Sequence, residues 1–224
     1  MTKNRILGLL ILTVCALNIY GQEATEIPRR EYIALVSDAG EKGGDLDRRI
    51  TYRQENFSAA DASLKQTTTT LLELVGRNKT RSLTTEVVGG VTTITEVITI
   101  GKIEYRRTGN GKWKKKILGE ESDTIGTLGG MTAKVNFKNT VADAVLNNQP
   151  TRLYEELMII EEPLTVEASP KANFGREKVW INKEGFILKR EDTYGLLNPE
   201  RIETRIVTEF EYRPKDLKIV APIK

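Results

Sequence analysis

Arg201-Ile202-Glu203-Thr204-Arg205-Ile206-Val207-Thr208-Glu209-Phe210-Glu211-Tyr212 is the stretch that decides the fold. Ile202, Thr204, Ile206, Thr208, Phe210 and Tyr212 occupy every second position, with Arg201, Glu203, Arg205, Glu209 and Glu211 between them. Successive side chains of a strand point to opposite faces, so this alternation puts one face on an apolar interior and the other in water. Neighbours of this kind make an antiparallel sheet that is wet on one side. Its dry side must meet a helix, a second sheet or a ligand.

Working outward, Thr, Val, Ile and Leu dominate from Thr67 onward, punctuated by turn residues at strand-length intervals. Thr67 to Val75, Thr80 to Val88 and Val91 to Ile100 read as strands, divided by Gly76-Arg77-Asn78-Lys79 and by the hairpin signal Gly89-Gly90. Gly101 bends the chain into Ile103 to Arg107, and Gly109-Asn110-Gly111 turns it into Lys112 to Leu118. These segments form a β-meander. Later, Arg152 to Glu162 reads as a strand, Pro163 to Gly175 as a loop, and Lys178 to Asn182 pairs with Phe186 to Glu191 across Lys183-Glu184-Gly185. Between the two sets, Thr124 to Gly130 is glycine-rich, and Val141 to Leu146 reads as a short helix ending at Asn147-Asn148 before Pro150.

The N-terminus has a different character. Lys3 and Arg5 precede an uncharged apolar run from Ile6 to Tyr20, which reads as a signal peptide over residues 1–21 cut after Gly21. The run is shorter than the roughly 20 residues a membrane span needs. Leu12-Thr13-Val14-Cys15 matches a lipoprotein acylation motif at its first two positions and departs from it at Val14, so lipid anchoring at Cys15 is the lesser expectation. Residues 22–47 read as an arm or short helix followed by a glycine-bearing loop, and residues 48–224 as a single domain. The expected fold is mainly β (α+β): a curved antiparallel sheet over one or two short helices.

Composition narrows the function. The chain has 34 Lys and Arg against 31 Asp and Glu, no His and one Cys. Loss of Lys3 and Arg5 with the leader brings the net charge to about +1, without the basic footprint that nucleic acid requires. With Cys15 also in the leader, nucleophile systems that use an imidazole base and Cys/His zinc sites are excluded, so no cofactor or metal is expected. Glycoside hydrolysis by two carboxylates survives that exclusion. Adjacent glutamates on a strand point to opposite faces, however, so neither Glu155-Glu156 nor Glu161-Glu162 can itself form the pair. The reading is a non-enzyme.

Three pieces of sequence resemble the LolA/LolB-like periplasmic lipoprotein-carrier fold. They are Val97 to Arg107 with Gly109-Asn110-Gly111-Lys112-Trp113, Val179 to Lys189, and Phe210-Glu211-Tyr212 followed by Leu217 to Pro222. The resemblance implies an unclosed half-barrel enclosing an apolar cavity for lipid or for lipoprotein acyl chains, in a periplasmic or secreted protein. The sequence departs from the carrier pattern at Ser122 to Gly130, where a longer covering helix is expected, and the carrier's cavity-closing arginine has no clear counterpart. The apolar strand positions proposed for such a cavity are Leu72, Leu74, Ile98, Ile100, Tyr105, Trp113, Leu157, Ile159, Ile206 and Phe210. The alternative is a filled core in a module that binds an envelope protein partner. The run Lys112 to Lys116, interrupted by Trp113, fits either a solvated hairpin strand or peripheral contact with an anionic membrane.

Overall fold

A computed structural model describes residues 24–58, 60–118, 135–160, 174–197 and 200–223. The leader, Cys15, Ser122 to Gly130 and the loop after Glu162 lie outside the described residues, apart from Phe174 and Gly175.

The described chain forms twelve strands and one helix: β1 (Thr25–Glu26), α1 (Arg29–Gly44), β2 (Arg48–Phe57), β3 (Leu64–Val75), β4 (Lys79–Val88), β5 (Val91–Ile100), β6 (Ile103–Thr108), β7 (Lys114–Ile117), β8 (Val135–Leu146), β9 (Gln149–Ile160), β10 (Phe174–Asn182), β11 (Ile187–Leu197) and β12 (Glu200–Tyr212). All strands join one antiparallel sheet in the order β1-β8-β9-β10-β11-β12-β2-β3-β4-β5-β6-β7, an unclosed half-barrel. Two meanders, β2 to β7 and β8 to β12, meet where β12 pairs with β2 from Thr204↔Asn56 to Tyr212↔Arg48. The alternating stretch Arg201 to Tyr212 is thus the seam of the sheet.

The turns follow from local chemistry. Gly89 and Gly90 take φ of 57° and 82°, the left-handed region that glycine enters without steric cost, and they close the β4–β5 hairpin. Asn147 and Asn148 do the same at 50° and 62° between β8 and β9. That turn corrects one expectation. Val141 to Leu146 is strand, not helix, because this segment pairs with β9 from Val141↔Tyr154 to Leu146↔Gln149. Cross-strand pairing overrides the helix preference of its alanines.

The segment 22–47 is chiefly helix, longer than the sequence suggests. Pro28 leads into α1, Glu31 sits in its first turn and Lys42 in its last, matching the helix dipole. Tyr32, Val36, Ala39 and Gly43 recur at helical spacing and face the sheet, where they meet Tyr154, Val179, Ile181, Ile187 and Phe210. Val179 is wholly buried there. Gly43 lies against the Tyr212 ring so closely that an added Cβ would come within 2.6 Å of it. The glycines that read as a loop therefore let the helix end dock on the aromatic end of β12.

Candidate ligand-binding face

Directly paired residues point to the same side of a sheet, so the registers map both faces. On the side that carries α1, the helix packs against β8 and β11 at one half of the sheet. The other half, β12 and β2 to β6, presents bands that run across the strands. The first joins Tyr212, Arg48, Leu74, Thr80 and Thr99, and the second joins Phe210, Ile50, Leu72, Ser82 and Val97. The third is Thr208, Tyr52, Thr70, Thr84, Thr95 and Thr108, a hydroxyl on every strand. The fourth is Ile206, Gln54, Thr68, Glu86 and Thr93, and the fifth Thr204, Asn56, Gln66, Val88 and Val91. Most of these side chains are half-buried, while Val88 and Val91 are exposed beside the hairpin tip.

The polar bands are knitted together. Tyr52 donates to Gln54 Oε1 at 2.7 Å, Gln54 Nε2 to Asn56 Oδ1 at 3.1 Å, Asn56 Nδ2 to Gln66 Oε1 at 3.2 Å, and Gln66 Nε2 to Glu86 Oε1 at 2.6 Å. Thr204 Oγ1 adds a bond to Asn56 at 3.3 Å, and the Thr70 and Thr84 hydroxyls meet at 3.0 Å. Burial, with a smaller effect from the nearby Asp192 carboxylate, raises the pKa of Tyr52, so it remains a donor at neutral pH.

Beneath α1 the same face carries charge. Arg190 pairs with Glu177 at 3.1 Å and with Asp192 at 3.0 Å. Burial raises the Glu177 pKa, Arg190 opposes that rise, and Asp192 reinforces it. Where α1 leaves the sheet, a cleft of about 320 Å³ opens, floored by Leu35, Ala39, Tyr154 and Ile181 and rimmed by Asp38, Lys42, Arg152 and Lys183.

The opposite, outer face is built differently. Arg49 contacts Glu211 at 2.9 Å, Asp216 at 3.0 Å and Glu73 at 3.1 Å. Arg81 bridges Glu73 at 3.4 Å and Glu96 at 2.8 Å, and Arg107 closes on Glu96 at 2.6 Å. Glu73 and Glu96 are buried, at 6% and 5% exposure. Burial works to raise the Glu96 pKa, but hydrogen bonds from Arg107 and Arg81 outweigh it and hold the carboxyl below its ordinary value. The Arg107 guanidinium also lies 4.7 Å over the Trp113 ring. Beside this ladder, Ile219 of the C-terminal segment packs on Ile98 and Tyr105.

The ten sequence-nominated positions divide between the two faces. Leu72, Leu74, Ile206 and Phe210 come together on the helix-bearing side. Ile98, Ile100, Tyr105 and Trp113 gather in the outer cluster around Ile219. Leu157 and Ile159 also point outward, opposite Arg176 and Phe174. Glu155 and Glu156 separate as the strand period requires: Glu155 meets Arg176 at 3.4 Å, and Glu156 meets Arg29 of α1 at 3.2 Å. The residues that sequence reasoning missed are Tyr52, Gln54 and Asn56 of β2 and the threonines paired across from them. Their signal is the register between strands, which no single stretch of sequence displays.

An unclosed antiparallel half-barrel with a helix on one face is the class of protein this fold defines. Solved structures with a similar arrangement include LprF from Mycobacterium bovis (9% identity, 88% of this chain and 99% of that one, TM-score 0.47) and the lipoprotein LppX from Mycobacterium tuberculosis (12%, 86% and 100%, 0.39). A LolA superfamily protein from Nitrosomonas europaea also matches (9%, 80% and 91%, 0.28), the family whose strand-and-turn pieces the sequence resembles. No family model and no curated protein matches the chain.

Proposed function

We propose that this chain is an exported, non-enzymatic protein of the cell envelope that holds a lipidic ligand on the helix-bearing face of its sheet. One observation carries the reading. Among the described residues a single helix covers half of a twelve-stranded sheet, and the uncovered half presents the contiguous apolar side chains Phe210, Ile50, Leu72, Leu74 and Val97. Apolar surface of this kind is stabilised by removal from water, and an acyl chain laid along these bands supplies that. Export follows from the charged start and short apolar run of residues 1–21. Catalysis is disfavoured by the absence of His and by a lone Cys that lies in the leader.

Fluorescence titration with a long-chain fatty-acyl probe tests the proposal. The native chain should bind saturably at one site, and Leu72→Trp should weaken binding while leaving the thermal midpoint nearly unchanged, because bulk is accepted where the surface is open. Absence of saturable binding in the native chain would remove the lipid reading and leave a protein-binding module.

A further inference from the structure

We infer that the hydroxyl and amide bands of the helix-bearing face seat an uncharged, hydroxyl-rich headgroup, a sugar or polyol carried on an acyl chain. The inference rests on the lipid reading and specifies which end of the ligand lies where.

Three features of the bands select this chemistry. The first is extent. Thr208, Tyr52, Thr70, Thr84, Thr95 and Thr108 are paired across six neighbouring strands, so at about 4.8 Å between strands they form a hydroxyl row on the order of 25 Å long. Each hydroxyl both donates and accepts, which suits a partner that does the same at several adjacent atoms.

The second feature is the direction of the amide chain. Gln54, Asn56 and Gln66 each spend one N–H on the next member, and the chain ends on the Glu86 carboxylate. An amide has two N–H groups and a carboxylate two oxygens, so the row has capacity for neighbouring hydroxyls as both donor and acceptor. Tyr194, 38% exposed and opposite Thr204, places an aromatic ring at the margin of the same row.

The third feature is charge. The third, fourth and fifth bands contain no Lys or Arg between β12 and β6, and their one carboxylate is Glu86. A phosphate or carboxylate headgroup would meet that negative charge with no cation beside it. An alkyl chain laid over these bands would strip water from the hydroxyls and amides without replacing their hydrogen bonds, which is unfavourable. The chain therefore belongs on the Phe210–Leu72 side and the headgroup on the Thr84–Asn56 side.

The test uses the full chain and two ligands with the same twelve-carbon tail, dodecyl maltoside and dodecanoate, each below its micelle concentration, competing with the fluorescent acyl probe. Dodecyl maltoside should compete at least tenfold more strongly. The double variant Thr70→Val/Thr84→Val removes both partners of one hydrogen bond with little change of shape, so it should fold. It should lose most of the preference for maltoside while its affinity for dodecanoate holds. Gln54→Leu, with circular dichroism confirming the sheet, should act in the same direction. Equal competition by the two ligands, or variants that keep the preference, would overturn the headgroup site while the acyl reading stands. If neither ligand competes and the probe itself does not bind, both readings fall together.

Discussion

The two faces of this sheet use the same strands and reach opposite solutions for their polar groups. On the outer face, Glu73 and Glu96 are buried, and each is matched by arginines from neighbouring strands, so the ladder from Asp216 to Arg107 is complete in itself. On the helix-bearing face, β2 to β6 carry half-buried threonines and amides whose bonds to one another leave donor and acceptor capacity over. A face that satisfies its own charges holds the fold. One that keeps capacity at half-burial is suited to a ligand.

The largest expected effect tests where the stability resides. Val179→Asp places a carboxylate in the wholly buried contact between sheet and helix and should cost several kcal/mol, enough to abolish cooperative unfolding in a denaturant titration. A folded variant would show that α1 is dispensable to the sheet. Next comes the outer ladder. Glu96→Gln leaves Arg81 and Arg107 without their shared carboxylate and should cost about 2 kcal/mol, read as a lower urea midpoint. Gly43→Ala forces the Tyr212 ring away from the helix end and should cost about 1 kcal/mol.

The smallest effect has opposite signs on the two faces. Glu96 has a lowered pKa in the folded state, so its stabilisation is present above its unfolded value, 4.5, and is lost as pH falls through the folded value. Glu177 has a raised pKa, so its contribution is present below 4.5 and is lost as pH rises through the folded value. Urea midpoints measured across this window should therefore flatten on the acid side in Glu96→Gln, and Glu177→Gln should remove a decline toward neutral pH. The same slope in both variants would contradict the contrast between the faces.

Much of the sheet was legible because its hairpins announce themselves. Gly89-Gly90 and Gly109-Asn110-Gly111 mark turns, and Arg201 to Tyr212 alternates cleanly enough to identify the seam strand. β2 escaped because Arg48 to Phe57 is polar at nearly every position, so no period-two contrast exists to read. Its polarity is the trait that makes it the centre of the candidate site. α1 was obscured by Gly40, Gly43 and Gly44, of which Gly43 serves the contact with Tyr212. The apolar nominations split between two faces because burial alone cannot say which side a strand residue takes. Ile98 and Tyr105 are buried, but by Ile219 on the outside.

A single mapping measurement addresses the central claim, that the helix-bearing face holds an amphiphile with its tail at the apolar bands. The purified chain is loaded with a sugar-headed acyl ligand that bears a photoreactive diazirine at the terminal carbon, irradiated, and mapped by peptide mass spectrometry. The account predicts cross-links confined to the helix-bearing side and concentrated on Phe210, Ile50, Leu72 and Leu74. Cross-links centred on Ile98, Tyr105 and Ile219 of the outer face would contradict it.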